Sequence, residues 1–411
     1  MKPRLDIVVA GAGVAGMAMA TLLATRPQSQ RFCVTLVDAG APPEFALTDD
    51  VGLRVSAISA GSMRLLDSLG IRQSLLNARA GPYRDMRVWD SRGSCDGPEA
   101  LRFEAADMAL GELGFIVENN LIRHCLLARL QASPATLHFN TPIRRIESAD
   151  EGRYAITLDN GDTLQAALLI GADGAASGVR DAAGIGVDSW HYQQAAVVTH
   201  AVPARPHRET AWQRFLPGGP VALLPLADGR VSVVWSTSVE HAATLVDSTD
   251  EDFSRALTEA SDYVLGELSV SAPRASFPLR AQHAKRYVGR GVALIGDAAH
   301  TVHPLAGQGA NLGLADAACL QSVTATALAA GEYPGDLPVL RRYERARRGA
   351  NRTMLQFIDA LNRLYAVDRP LVARLRGRGM QLFNHSGPVR RYAMRVALGL
   401  ADVSHADDRI D

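Results

Sequence analysis

No run of 18 consecutive apolar residues occurs in this chain, which excludes a transmembrane helix on the length criterion. The amino terminus, MKPRLDIVV, lacks a secretory pattern, so a cytoplasmic location is expected. Cysteine is scarce: Cys33, Cys95, Cys125 and Cys319 have neither CxxC nor metal-ligand spacing. They read as small buried hydrophobes in a reducing compartment, and no metal site is expected. No internal repeat, low-complexity tract or nucleic-acid-binding module is present, and the formal net charge is zero. What remains is a chain of 411 residues, 47% hydrophobic and 21% charged, able to bury a sizeable core. That length is more than one simple domain needs.

The most informative residues lie in three strings. The first, GAGVAG at 11–16, follows an apolar run from Leu5 to Ala10 and precedes Val14 to Leu23, which predicts strand, tight turn and helix. Gly11 permits the turn, Gly13 lets a pyrophosphate approach the backbone, and Gly16 lets helix and strand pack closely. The helix amino terminus then offers free N–H groups to phosphate. A second apolar run, Phe32 to Val37, ends at Asp38, where a carboxylate can take ribose hydroxyls. This fingerprint does not distinguish FAD from NAD, and a glycine-rich turn without a ligand is its plain structural alternative.

The second string, GADGAASGVR at 171–180, follows the apolar run Leu164 to Ile170 and carries Asp173, Gly174 and Arg180. The third, GDAAHTVHPLAGQGANLG at 296–313, follows Val292 to Ile295. Asp297 at that strand end would suit a ribityl chain, its alternative being a cap for the next helix. Gly307 and Gly309 would let a flat ring approach the backbone. A helix beginning near Asn311 and Leu312 would set partial positive charge beside that ring.

Taken together, the three strings resemble the flavoprotein aromatic hydroxylases. With RVSAIS at 54–59, VEN at 117–119, GIGV at 184–187 and WQRFLPGGPVALLPL at 212–226, the chain is similar to the ubiquinone-biosynthesis hydroxylases, a branch of the class A flavin monooxygenases. The resemblance runs to about residue 365. It implies an α/β fold: a Rossmann-like FAD-binding domain of the glutathione-reductase type, an inserted, mainly antiparallel β substrate domain, and a helical C-terminal segment. It also implies that Arg54 and Arg123 touch FAD, that Asp173 belongs to the FAD and nicotinamide motif, and that Pro304 to Asn311 line the isoalloxazine. Asp38 stands where many relatives have glutamate, a small departure because the shorter carboxylate still reaches a ribose.

The reaction implied is hydroxylation of a polyprenyl phenol or benzoquinol through a flavin C4a-hydroperoxide, with O2 and transiently bound NADPH or NADH. Only one dinucleotide fingerprint is present, so the nicotinamide would have no fold of its own. His303, just before the flavin-facing Pro304, is a candidate for moving a proton, and His300 is expected to be hydrogen-bonded within its turn. Phe215, Leu223, Leu224, Pro225 and Trp235 are candidates for an apolar pocket wall, with core packing the alternative for each. A soluble hydroxylase of a small phenol or polyketide, and a non-catalytic flavin-binding scaffold of a quinone-biosynthesis complex, are the competing readings. A halogenase is set aside because no WxWxIP string occurs.

The motif positions place the flavin domain at 1–75, 100–183 and 280–340, and the substrate domain at 76–99 and 184–279. The 341–411 segment is expected to be helical and basic. Between Arg341 and Leu400 there are 14 arginines, no lysine and three acids, 14 − 3 = +11. Met354, Ile358, Leu361 and Tyr365 recur there at helical spacing. This face could meet an anionic membrane, peripherally on its inner side, or a quinone-biosynthesis complex. Its alternative is an arginine face packed on the acidic remainder of the molecule.

Overall fold

The computed structural model describes residues 4–302, 307–366 and 370–400. The apolar Leu5–Ala10 strand lies inside a parallel sheet, which is why it carries no polar alternation over its last four residues. It pairs with Phe32–Val37 on one side and Leu168–Gly171 on the other. Beyond these lie Thr136–His138 at one end and Val292–Leu294, then Val288–Gly289, at the other. Ala10 is in register with Gly171, and Gly171 with Leu294. The strands before the three glycine-rich strings therefore end side by side, although those strings are far apart in sequence.

The Val14–Thr25 helix is buried from Gly16 to Ala24 and packs against the Gln308–Ala329 helix. Close approach there depends on small residues: a Cβ on Gly313 would come within 3.0 Å of the Ala15 Cβ. At 22 residues the Gln308–Ala329 helix is long and apolar enough to cross a membrane by composition, even without 18 consecutive apolar residues. It is nevertheless a core helix, with Leu314, Ala317 and Leu320 buried among the flavin-domain strands.

The substrate sheet runs in the order His300–Thr301, Ala275–Ala284, Val187–Pro203, Val231–Ser238, Gly219–Pro225, Thr210–Leu216, Asp85–Asp90 and Leu101–Glu104. All these pairings are antiparallel except that of Thr210–Leu216 with Asp85–Asp90. One face is covered by the Val239–Asp247 and Asp250–Ala260 helices, against which Val197, Val221, Leu223, Val233 and Trp235 pack. The sheet is wider than the motif positions suggest. Leu101–Glu104 pairs with Asp85–Asp90 across a turn, and Ala275–Ala284 is one continuous strand. The 99/100 boundary thus moves beyond Glu104 and the 279/280 boundary out of the Ala275–Ala284 strand, because motif spacing carries no information about strand partners.

Helices Leu337–Ala366, Pro370–His385 and Pro388–Ala397 close the fold. The predicted stripe faces inward: Ile358 and Tyr365 are buried with Val88 and Phe215, and Met354 and Leu361 pack beside them. Several arginines are consumed internally. Arg376 is buried against Asp90, Arg390 pairs with Asp107 at 2.7 Å, and Arg347 pairs with Asp316 at 2.8 Å.

The last of these pairs belongs to a buried network that anchors the third string. Asp316, wholly buried on the Gln308–Ala329 helix, accepts from Arg347 Nε and Asn351 Nδ2 through Oδ1. Its Oδ2 meets His300 Nε2 at 2.5 Å and accepts from the Gly296 N–H at 3.1 Å. His300 therefore bonds outside its turn, to a helix 16 residues later. Burial pushes the Asp316 carboxyl up, but His300 and Arg347 outweigh it and hold it down at about 2. A pKa depressed on folding stabilises the protein above the ordinary carboxylate value, and that stabilisation is lost as pH falls toward 2. Asp316→Asn leaves Arg347 without its counter-charge and is expected to cost about 3–5 kcal/mol. Thermal melts from pH 7 down to pH 2 check this: the gap between parent and variant should close below about pH 4.

Candidate active site

The first string builds a phosphate-sized turn. Gly11 adopts φ +102°, and a Cβ there would stand 2.3 Å from the Ala172 carbonyl oxygen; one on Gly16 would stand 1.9 Å from the Gly11 oxygen. Neither position admits another residue without backbone movement. A Cβ on Gly13 would meet nothing within 4 Å, so this glycine borders open space at the helix amino terminus. Asp38 closes the turn, its Oδ2 accepting from the Ala12 N–H at 2.5 Å and its Oδ1 from the Gly40 N–H at 2.7 Å. Arg123 Nε donates to the Ala12 carbonyl at 2.7 Å. A cleft of about 560 Å³ opens here, lined by Gly11, Gly13, Asp38, Asp173 and Gly174 among others.

Asp173 is also a local brace. Its Oδ1 accepts from the Ser177 hydroxyl at 2.5 Å and its Oδ2 from the Val179 N–H at 3.0 Å, capping the Gly178–Ala182 helix. Arg180 is buried and donates from Nη1 to the carbonyls of Ala175 and Ala298, tying the second string to the third. Asp297 is the exposed residue in the otherwise buried run from Gly291 to His300. It is open to solvent yet recessed among protein atoms, and this desolvation raises its pKa against the opposing pull of His300, Arg54 and Arg280. A recessed, accessible carboxylate at the strand end fits a hydroxyl-bearing chain.

Arg54 lies within electrostatic reach of both Asp297 and Arg123, and its guanidinium stands 6.0 Å from the Phe277 ring centroid. It therefore joins the nucleotide cleft to the substrate sheet. Gly307, at φ +61°, precedes the Gln308–Ala329 helix that carries Gly309, Asn311 and Leu312. Asn311 is buried, accepting from the Ser59 N–H at 3.0 Å and donating to the carbonyls of Ala57 and Gly307. Its side chain staples the helix start to the Val55–Ser59 strand. His303 and Pro304 lie outside the described residues.

The pocket-wall candidates divide between the two faces of the substrate sheet. Leu223 and Trp235 belong to the helix-covered core. Leu224 points the other way, packing beside Val55, Tyr83 and Ile116. Phe215 is buried beneath the C-terminal helices, its ring 3.8 Å from that of Tyr365 and stacked on it. Pro225 is buried at the strand end. Motif reading singles out Arg180 but misses Asp316, Arg347 and Asn351; a lone charged residue in the apolar Gln308–Ala329 helix, as Asp316 is, is the available signal.

Three motifs brought side by side at the strand ends, with the substrate sheet reaching them through Phe277 and Arg54, define a flavin-dependent monooxygenase of the aromatic-hydroxylase class. Residues 4–358 match the family described as FAD binding domain. The chain is 38% identical to the mouse (Mus musculus) ubiquinone biosynthesis monooxygenase COQ6, over 95% of this chain and 90% of that protein. It is 34% identical to the Escherichia coli 3-demethoxyubiquinol 3-hydroxylase, over 96% and 98%. Its fold matches PqsL of Pseudomonas aeruginosa with a TM-score of 0.74 at 22% identity, over 92% of this chain and 99% of that one. Klebsiella pneumoniae HpxO, solved with FAD and uric acid, matches with a TM-score of 0.75 at 18% identity, over 97% and 98%. The chain belongs to the FAD-binding monooxygenases, in the family of the ubiquinone-biosynthesis hydroxylases.

Asp297→Ala is expected to empty the flavin site while the fold persists. Retention of stoichiometric flavin after purification, read from the visible spectrum against protein concentration, would refute the role given to the third motif.

Proposed function

We propose that this protein hydroxylates the ring of a polyprenyl phenol or benzoquinol in ubiquinone biosynthesis, using O2 and NADPH or NADH. The observation that carries the reading is that the three motif strands end side by side, with Gly11, Asp38 and Asp173 on one cleft and with Arg54, beside Phe277 of the substrate sheet, within electrostatic reach of Asp297. Similarity to hydroxylases of that pathway over nearly the whole chain supports the substrate class.

Bound FAD would supply electron transfer from the nicotinamide and the activation of oxygen. The residues' own tasks are binding and exclusion. The Gly11 to Gly13 backbone and the Val14–Thr25 helix start would hold the pyrophosphate, Asp38 a ribose, and Asp297 the ribityl chain. Arg54 and Arg123 would neutralise the phosphates. The first turn of the Gln308–Ala329 helix would stabilise negative charge on the reduced ring. His303 and Pro304 are proposed to lie at the ring, His303 moving a proton. The apolar row on the inner face of the substrate sheet would keep water from the reacting edge. Nicotinamide is proposed to bind transiently across the flavin domain.

The direct test is anaerobic reduction of the purified yellow protein by NADPH or NADH, with and without a short-chain prenyl phenol, followed by oxygen and product analysis. Faster flavin reduction and one added ring hydroxyl are expected. Unstimulated reduction that yields only peroxide would overturn the substrate assignment in favour of a small soluble phenol, or a scaffold if no phenol restores coupling.

The substrate's lipid character gives the C-terminal helices a role at an anionic membrane surface. Leu382, Val389, Tyr392 and Val396 are exposed, the first at 73% and Tyr392 at 68%, beside the exposed Arg378, Arg391 and Arg395. An apolar stripe rimmed by arginine suits a lipid interface, with each basic residue contributing about 1 kcal/mol near anionic headgroups. Val389→Asp with Tyr392→Asp is expected to abolish flotation with anionic liposomes and to leave the flavin spectrum intact. Undiminished flotation would remove the membrane role and leave this surface to a quinone-biosynthesis complex.

A further inference from the structure

The inner face of the substrate sheet carries a row of side chains that packing alone does not explain. Antiparallel register places Val198 opposite Ala275 on one side and Val234 on the other, and Val234 opposite Ala222. Directly opposed residues project to the same face, so Ala275, Val198, Val234 and Ala222 form one row across four adjacent strands. This is the face turned away from the covering helices, since Val197, Val221 and Val233 occupy the helical side.

All four are half-buried, whereas their flanking neighbours on the three inner strands are buried. Central strands of a sheet covered on both faces would hide such residues; here the row opens on accessible space. Its surroundings say which space. Phe277, two residues from Ala275 on the same strand, stands beside Arg54, and Arg54 lies near Asp297. At the other end Ala222 is opposed by the buried Gln213. On the two central strands the adjoining positions of this face are closed: Ala196 and Ser236 lie on one side, and His200 and Ser232 on the other, all buried. The row is thus an apolar window, about 14 Å across at roughly 4.8 Å per strand spacing, bounded on its two central strands by buried residues. That is the width of one substituted aromatic ring, and no side chain in it exceeds valine.

We infer that Ala275, Val198, Val234 and Ala222 form the floor on which the substrate ring lies, and that their small size sets how bulky a ring is accepted. This rests on the reading of the protein as a phenol or quinol hydroxylase. A flat apolar floor gives the ring van der Waals contact and excludes water, while positioning relative to the flavin edge comes from the walls at Gln213 and Phe277.

The test uses the FAD-loaded full chain and flavin absorbance changes on titration with two short-prenyl phenols, one with a slim and one with a bulky ring substituent. Ala222→Phe, with flavin content retained, is expected to weaken binding of both phenols at least about tenfold. Val198→Ala combined with Val234→Ala is expected to shift the bulky-to-slim binding ratio at least about tenfold toward the bulky ring. The double variant decides the matter should Ala222→Phe fail to fold, because a gained preference does not arise from damage. Unchanged binding and ratio in variants of a protein that does bind the phenols would overturn the floor alone. An intact protein that binds neither phenol would overturn the functional reading and the floor with it.

Discussion

Asp316 is a carboxylate with no access to water, and such a group persists only where opposite charge and hydrogen-bond donors meet it. Its partners come from separate parts of the chain: His300 and the Gly296 N–H from the third motif, Arg347 and Asn351 from the long C-terminal helix. The position of the Asp297 turn and the docking of the last helices are therefore one constraint. Removing Asp316 or Arg347 leaves an uncompensated charge in the core, so the C-terminal segment is part of the flavin domain's stability as well as an outer surface.

The cofactor cleft follows from a second constraint, the register of parallel strands. Their carboxyl ends align at Ala10, Gly171 and Leu294, and each is followed by a glycine-rich turn. Close backbone contact at Gly11 and Gly16 forbids side chains there, while Gly13 faces open space. Arg180 then locks the second turn to the third through the Ala298 carbonyl. The cleft is preorganised by main-chain geometry, and its charged groups, Asp38, Asp297, Arg54 and Arg123, stand around that frame.

The basic C-terminal segment shows how one composition serves two purposes. Arg347, Arg376 and Arg390 satisfy acids elsewhere in the molecule, which is the packed alternative. Arg378, Arg391 and Arg395 remain outside beside apolar side chains, which is the arrangement an interface needs. Charge counting treats these arginines alike; only the fold sorts them.

Local patterns determined much of this protein. The glycine spacing after Ala10, the acidic strand end at Asp38 and the GDAAH turn each dictate backbone behaviour within a few residues, so strand, turn and helix were legible there. The stripe Met354, Ile358, Leu361 and Tyr365 likewise announced an amphipathic helix, but that its apolar face packs inward rather than on a membrane came only from the fold. What depended on partners was not legible. Strand Leu101–Glu104 joins the substrate sheet through pairing that no local pattern encodes, and Phe215 lies under Tyr365 because a helix 150 residues later folds over it. Leu223 and Leu224 are adjacent leucines on one strand, yet strand alternation sends one to the helical core and the other toward the flavin domain. The sequence determined which residues could bind a dinucleotide, because backbone freedom and strand-end charge are local properties. The tertiary structure alone decided which face of the sheet meets it, because that depends on which side the helices cover.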